Sequence, residues 1–121
     1  MNIPKRILNL QRQRQVPEHF SWIDHRLVRE HTIEKADVTA WALYLFLVTV
    51  ADAQGLSYYG QASLMRRLHL SAERLAHART ELIALDLIAY DPPLYQVLSW
   101  PESVPIATRI ARLHAIMGAS T

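Results

Sequence analysis

The chain has 121 residues, enough for one domain around one hydrophobic core, and half of them are hydrophobic, which predicts folding rather than disorder. It contains no cysteine, which excludes disulfides and thiolate metal sites. Thirteen Lys and Arg against eleven Asp and Glu give a net charge of +2 with neutral histidines, an excess that permits a nucleic-acid partner without requiring one.

The first residues contain no apolar run after Lys5 and Arg6, so the sequence predicts no secretory signal. The longest apolar stretch, residues 38–51, is bracketed by two aspartates. It is shorter than the roughly 20 residues that a transmembrane helix needs. We therefore expect a cytoplasmic protein without a membrane partner.

Residues 1–17 form a polar arm that contains four basic residues and no acidic one, namely Lys5, Arg6, Arg12 and Arg14. The arm is either a solvated, frayed terminus or a basic segment that lies along DNA phosphates and is mobile until DNA binds.

Two helices are predicted next. Residues 20–34 place apolar side chains at helix-like intervals, which indicates a short helix lying across the main core. The second helix begins after Asp37, a favourable N-cap, and ends at Gly55, a natural helix stop. It is apolar on nearly every side, and such a helix is normally buried all round. Its cover must come from the other elements, from residues 20–34 or from a second subunit, a first indication of a homodimer.

Two further helices are predicted on either side of a short break. The first covers residues 61–68 and the second residues 72–85, with Ser71 as N-cap. Leucines at helical spacing turn inward in both. Helices joined by a turn of three or four residues cannot continue collinearly, so they cross steeply, as a helix-turn-helix pair does.

Short strands enclose this helix pair. "LSYYG" precedes it, and "LIAY" and "LYQVLS" follow it, joined by Asp91-Pro92-Pro93. Adjacent prolines disfavour a tight type I turn, so we expect a slightly wide, stiff hairpin tip.

A last helix is predicted over residues 104–117, with Ser103 as its cap. It presents one apolar stripe, formed by Ile106, Ile110, Leu113 and Met117. The stripe either forms the seam of a two-fold homodimer or folds back on its own domain.

The string "ADAQGLSYYGQASLMRRLHLSAERLAHARTELIALDLIAY" resembles a winged helix-turn-helix domain. It is most similar to the N-terminal domains of bacterial and plasmid replication-initiation and primosomal proteins. The matching residues are Ser63, Leu64, Leu68, Ser71, Leu75, Ala78, Leu82, Leu87 and Ile88. The resemblance covers roughly residues 37–99. The family usually has Gly before the closing "LI", where the helix ends in a left-handed turn, and this chain has Asp86 there.

The resemblance implies a mainly α fold, a three-helix core with a short strand and a two-stranded wing, with extra N- and C-terminal helices. Residues 18–100 would be the winged helix-turn-helix domain, and residues 101–121 a C-terminal helix and possible dimerisation element. The implied function is DNA binding in replication initiation or transcriptional regulation, with double-stranded DNA as partner and a replication or regulatory protein as a further one. The alternative is a winged-helix module that contacts proteins and does not bind DNA.

The resemblance also implies which residues contact DNA. Burial of one side of the helix over residues 72–85 leaves an opposite face that would meet base edges in the major groove. Arginines around this helix would hold phosphates. The predicted set is Arg66, Arg67, Ser71, Glu73, Arg74, His77, Arg79 and Thr80. The wing tip holds Asp91 and lacks Lys and Arg, so it is a poor minor-groove probe.

Catalysis has little support in the sequence. The six histidines show no metal-ligand spacing such as HExxH, and Ser63 lies outside any G-x-S-x-G elbow. With three glycines in all, the chain has no phosphate-cradling loop. We expect no enzyme, no metal site and no cofactor.

Overall fold

Four α-helices and three β-strands follow one another in the computed structural model, which describes residues 3–101. Their bounds are α1 Arg26–Arg29, α2 Val38–Val50, β1 Leu56–Tyr58, α3 Gln61–Leu68, α4 Ala72–Ala84, β2 Ile88–Asp91 and β3 Leu94–Val97. Short 3-10 turns cover Leu10–Arg12 and Thr32–Lys35. The strands form one antiparallel sheet in the order β1-β3-β2. The protein is thus a small α+β fold, and between residues 38 and 97 its elements follow the predicted order.

The core lies between α2, α4 and one face of the sheet. α2 packs along α4, and α3 and the sheet close the remaining sides. Leu43 and Leu47 of α2 are fully buried, as is Leu64 of α3. Tyr95 of β3 reaches this core and pairs with Ser57 and Tyr90 on its two neighbouring strands.

α2 begins where the sequence predicts but ends earlier. Asp37 is its N-cap residue, and the last helical residue is Val50 rather than a residue next to Gly55. Asp52 is the physical reason, because its Oδ1 accepts hydrogen bonds from the backbone nitrogens of Gln54 and Leu56, both at 2.9 Å. A side-chain acceptor of this kind offers the backbone a turn in place of a further helical turn.

Gly55 belongs to that turn and meets the sheet. It has φ +83°, and a Cβ built on it would lie 2.5 Å from the carbonyl oxygen of Val97. Its own carbonyl accepts a hydrogen bond from the Val97 backbone nitrogen at 2.8 Å. Glycine is required here because β3 passes directly over the turn.

The prediction for residues 20–34 is wrong in two respects. The segment contains a single helical turn, α1, and its apolar side chains stay outside the core, with Phe20 63% and Val28 64% exposed. The turn starts where Asp24 accepts hydrogen bonds from the backbone and side chain of Arg26, and it stops where His31 takes φ +61°. Left-handed backbone cannot continue a right-handed helix.

α2 is not buried all round either. Leu45 remains 57% exposed, on the side that faces residues 14–29.

The break between α3 and α4 has a local cause at each end. His69 adopts φ +55°, and the Leu70 backbone nitrogen donates to the Met65 carbonyl at 3.0 Å, which closes α3 with a left-handed cap. Ser71 then begins α4, with its Oγ accepting a hydrogen bond from the Arg74 backbone nitrogen at 3.2 Å. The predicted N-cap is confirmed.

α4 ends in a Schellman motif. Asp86 has φ +61°, and the backbone nitrogens of Asp86 and Leu87 donate to the carbonyls of Ile83 and Leu82. The left-handed turn predicted at Asp86 is confirmed.

The hairpin that follows is tighter than predicted. Asp91 pairs with Leu94, so only Pro92 and Pro93 form the tip, joined by a cis peptide bond. The prediction of a wide tip is therefore wrong, because the strand pairing extends to the residues on either side of the two prolines.

α2 and α4, the longest helices in the described part of the chain, have 13 residues each, and none of its helices is long and apolar enough to cross a membrane. Residues 3–20 are exposed throughout. The predicted C-terminal helix and its stripe of Ile106, Ile110, Leu113 and Met117 lie outside the described residues.

Candidate nucleic-acid interface

One face of α4 is exposed along its whole length. Leu75, Ala78 and Leu82 anchor the helix with fully buried side chains. Because a helix repeats every 3.6 residues, this anchoring turns Glu73, His77 and Thr80 together to the opposite side. All three are exposed, as the sequence predicts. Between them the face carries only small or apolar side chains, namely Ala76, Ile83 and Ala84.

The hydroxyl of Thr80 is partly used within the helix. Its Oγ1 donates to the Ala76 carbonyl at 2.9 Å. The hydroxyl hydrogen is therefore committed, and the oxygen keeps its capacity to accept. A ligand on this face would meet Thr80 as an acceptor and as a methyl group.

His77 lies close to an acidic residue that sequence reasoning did not identify. Its Nε2 lies 2.9 Å from Oε1 of Glu81, with 70% of the His77 side chain exposed and 19% of the Glu81 side chain. The other carboxylate oxygen of Glu81 accepts a hydrogen bond from the backbone nitrogen of Asp37 at 2.9 Å. The i, i+4 spacing of His77 and Glu81 is a signal that the sequence carries.

Glu81 thus links the exposed face of α4 to the start of α2. A carboxylate at a helix N-terminus is favourable, since the backbone nitrogens there have no partner within the helix. The same carboxylate lies beside the His77 ring, which forms an ion pair with it when protonated, and the second ring nitrogen of His77 has no partner among residues 3–101.

Three of the four predicted phosphate-binding arginines are exposed. Arg66 and Arg67, near the end of α3, form no hydrogen bond or ion pair with residues 3–101. Arg74 lies on one flank of the α4 face, towards Asp37. The pKa of Asp37 is lowered chiefly by the hydrogen bond from the Thr39 hydroxyl, and the charge of Arg74 contributes to the same shift.

Arg79, the fourth, has a different environment. Its Nε donates to the Tyr95 hydroxyl at 2.9 Å, and its Nη2 donates to Oε1 of Gln61 at 2.9 Å. The guanidinium carbon lies 4.3 Å from the centroid of the Tyr90 ring. Arg79 therefore joins α4 to α3 and to both strands of the β2–β3 hairpin, and sequence reasoning found none of these contacts.

Arg79 also affects the pKa of the Tyr95 hydroxyl. Burial raises the pKa of the Tyr95 hydroxyl above its ordinary value, and the hydrogen bond from Arg79 opposes this shift. The neutral phenol is retained as an acceptor for the guanidinium.

The predicted set thus divides into two groups. Seven residues lie at the surface of α3 and α4: Arg66, Arg67, Ser71, Glu73, Arg74, His77 and Thr80. Arg79 alone is half-buried, and its Nε and Nη2 donate to Tyr95 and Gln61.

The described part of the chain brings together no group of three or more His, Cys, Asp or Glu side chains that could hold a metal ion. Comparison of the chain with known protein families, characterised proteins and solved structures gives no match.

Proposed function

We propose that this chain is a winged helix-turn-helix protein that binds double-stranded DNA and acts in replication initiation or transcriptional regulation. In this assignment α3 and α4 are the helix-turn-helix pair, α4 is the recognition helix, and the β2–β3 hairpin is the wing. The element order and the antiparallel sheet are compatible with this architecture.

The observation that best supports DNA binding is that α3 and α4 carry exposed polar and basic side chains. The α4 face carries Glu73, His77 and Thr80, and the preceding helix α3 carries two exposed arginines in its last turn, Arg66 and Arg67, which have no partner among residues 3–101. Unpaired guanidinium groups on the helix that precedes a recognition helix suit contacts with DNA phosphates.

Each exposed side chain has a defined chemistry towards a base edge. Glu73 accepts from the amino group of cytosine, and the free ring nitrogen of His77 donates or accepts. Thr80 offers its oxygen as an acceptor and its methyl group to thymine. Arg79 contributes rigidity, because it fixes the hairpin against the two helices.

The test of DNA binding is fluorescence anisotropy with a labelled random duplex pool at two salt concentrations. We expect binding that weakens steeply with salt, by a slope of about 0.9 in log units for every phosphate contacted. Arg66→Ala should lower that slope by about 1 on every sequence. Arg29→Ala, which removes the same charge from α1 beside the C-terminal half of α2, is the matched control and should leave the slope unchanged.

Selection of bound sequences from the same pool tests the role of α4. His77→Ala and Thr80→Ala should change the selected sequence with little effect on the salt slope, since base contacts carry specificity and phosphate contacts do not. If no variant of α4 changes the selected sequence, α4 is not the recognition helix. If the protein binds no duplex at low salt, the DNA-binding proposal is wrong.

A second candidate function has an observation of its own. The α4 face includes Ile83, 45% exposed, beside Ala76 and Ala84, and Glu73 repels phosphates. A helix face of small and apolar residues also suits contact with a partner protein, without DNA. Absence of duplex binding, together with loss of partner capture in Ile83→Asp, would favour this function.

A further inference from the structure

A wide groove separates the N-terminal segment from α2. It has a volume of about 1270 Å³ and runs between residues 14–29 and the C-terminal half of α2. Its apolar lining includes Phe20, Trp22, Ile23, Val28, Leu45 and Val48. Trp22 is 73% exposed, Val28 64% and Leu45 57%. These exposed apolar side chains lie along one groove, which suits an apolar occupant.

A second cavity of about 500 Å³ continues the groove towards the end of β3. It shares Phe20, Trp22 and Val48 with the first cavity and extends to Trp100. Trp100 is fixed to the N-terminal segment, because its Nε1 donates to Oε1 of Glu30 at 3.1 Å. The guanidinium carbon of Arg26 also lies 5.7 Å from the centroid of the Trp100 ring. The chain therefore passes residue 100 at the edge of the groove.

The sequence that follows suits this surface. In sequence, residues 102–121 follow Trp100 closely and contain the stripe Ile106, Ile110, Leu113 and Met117, at spacings of four, three and four residues. This spacing brings apolar side chains to one side of a helix. A helix over residues 104–117 would be about 21 Å long, at about 1.5 Å per residue.

We propose that residues 104–117 of the same chain fill this groove, with their apolar stripe against Phe20, Trp22, Leu45 and Val48. Only residues 101–103 separate Trp100 from this segment, so its effective concentration at the groove is of millimolar order. A second copy of the chain, present at micromolar concentration, would have to compete with this higher effective concentration. The stripe therefore folds back on its own domain, the second of the two possibilities that the sequence leaves open. This inference does not depend on the proposed DNA binding.

The absence of cysteine allows a direct test on the full-length chain. Leu45→Cys at the groove floor is combined with Ile110→Cys or Leu113→Cys on the stripe. The matched control combines Leu45→Cys with Thr108→Cys, because residue 108 lies on the opposite side of the same helical pattern. Disulfide formation is followed at micromolar protein by mass spectrometry without reducing agent.

We expect the stripe pairs to close within one chain at least tenfold faster than the control pair. Covalent dimers of the stripe pairs, at twice the 13.9 kDa mass of the chain, would show that a second copy fills the groove and would overturn the proposal. Equal rates for the stripe and control pairs would also overturn it, because the segment would then have no preferred side.

A second measurement applies to variants without cysteine. Ile110→Asp should lower the melting temperature by roughly 5 °C or more, because it places a charge against an apolar groove. Thr108→Asp should leave the melting temperature almost unchanged. If the two variants melt at the same temperature, the stripe is not buried and the proposal is wrong.

Discussion

Arg79 donates a hydrogen bond from Nε to the hydroxyl oxygen of Tyr95 over 2.9 Å, and so joins the middle of α4 to the central strand of the sheet. Tyr95 is 1% exposed and stacks on Tyr90, with ring centroids 4.4 Å apart. The guanidinium lies over the Tyr90 ring as well. One arginine and two tyrosines therefore connect the hairpin to α4.

Tyr95→Phe should lower the free energy of unfolding by about 1–2 kcal/mol, because it removes a hydrogen bond to a charged donor and keeps the ring in place. Urea denaturation followed by circular dichroism measures the change. Tyr58→Phe is the control, since Tyr58 is 73% exposed and its hydroxyl has no hydrogen-bond partner among residues 3–101. Equal effects of the two substitutions would show that the bond to Arg79 adds no stability.

Local sequence signals predicted the helix pair well. The bounds of α3 are the predicted ones, and α4 ends one residue earlier than predicted, at Ala84. Both results follow from short-range chemistry. Ser71 accepts a hydrogen bond from a nitrogen three residues on, and leucine spacing determines which face of each helix is buried.

The contacts of Arg79 could not be predicted in this way. Its spacing placed it on a flank of α4, but Tyr95 is 16 residues away in sequence and Gln61 is 18. Whether these groups meet depends on strand register and on the crossing angle of α3 and α4. No periodicity within one element contains that information.

The two wrong predictions of helix extent have local causes. Ending α2 at Gly55 followed the usual preference for glycine at helix ends, whereas Asp52 formed a turn with Gln54 and Leu56 first. Helical spacing in residues 20–34 was real but was interrupted by the left-handed residue His31. Competition between side-chain and backbone hydrogen bonds decided the first result, and the left-handed backbone of His31 decided the second.

Asp86 offers a test of the left-handed cap of α4. Its φ of +61° costs free energy for every residue with a Cβ. Asp86→Gly should therefore raise the free energy of unfolding by a few tenths to about 1 kcal/mol, and Asp86→Ala should lower it by about 1 kcal/mol. Thermal denaturation measures both. If Asp86→Ala were more stable than Asp86→Gly, α4 would not end in a Schellman motif.

Asp24 and Arg26 give a prediction that depends on protonation. The side-chain hydrogen bond from Arg26, followed by that from its backbone nitrogen, lowers the pKa of Asp24 from its ordinary value of 3.8 to about 2. Arg26→Gln should raise this pKa most of the way back, since the backbone bond at 2.8 Å remains. NMR titration of the side-chain carboxyl carbon measures it. A pKa of Asp24 that stays near 2 in Arg26→Gln would contradict the assigned cause.

The sign of the pH effect follows from the direction of this shift. The folded pKa of Asp24 lies below the unfolded one, so its contribution to stability is complete above pH 3.8 and is lost as the pH falls through about 2. The stability difference between the native chain and Arg26→Gln should shrink over that range. Arg29→Gln, which removes a charge that acts on Asp24 only at a distance, is the matched control.

Deletion of residues 1–15 should separate folding from DNA binding. Residues 3–20 are exposed throughout, and the arm's 3-10 turn is closed locally, by hydrogen bonds from the Arg12 backbone nitrogen to Asn9. The deletion should therefore shift the melting temperature by less than about 2 °C. A loss of about 1 kcal/mol would shift it by several degrees in a domain of this size. Affinity for duplex DNA should fall, and its salt slope should decrease by about 0.9 for each phosphate that the shortened chain no longer neutralises.

A full-length variant with the arm's four basic residues changed to glutamine, at Lys5, Arg6, Arg12 and Arg14, is the control for chain length. It should reproduce the loss of affinity, because the proposed contacts are electrostatic and do not depend on the apolar side chains between the basic ones. Undiminished binding in the glutamine variant would show that the arm contacts DNA in another way or not at all. A melting temperature lowered by roughly 10 °C or more in the deletion would show that the arm packs on the domain and that the basic-arm hypothesis is wrong.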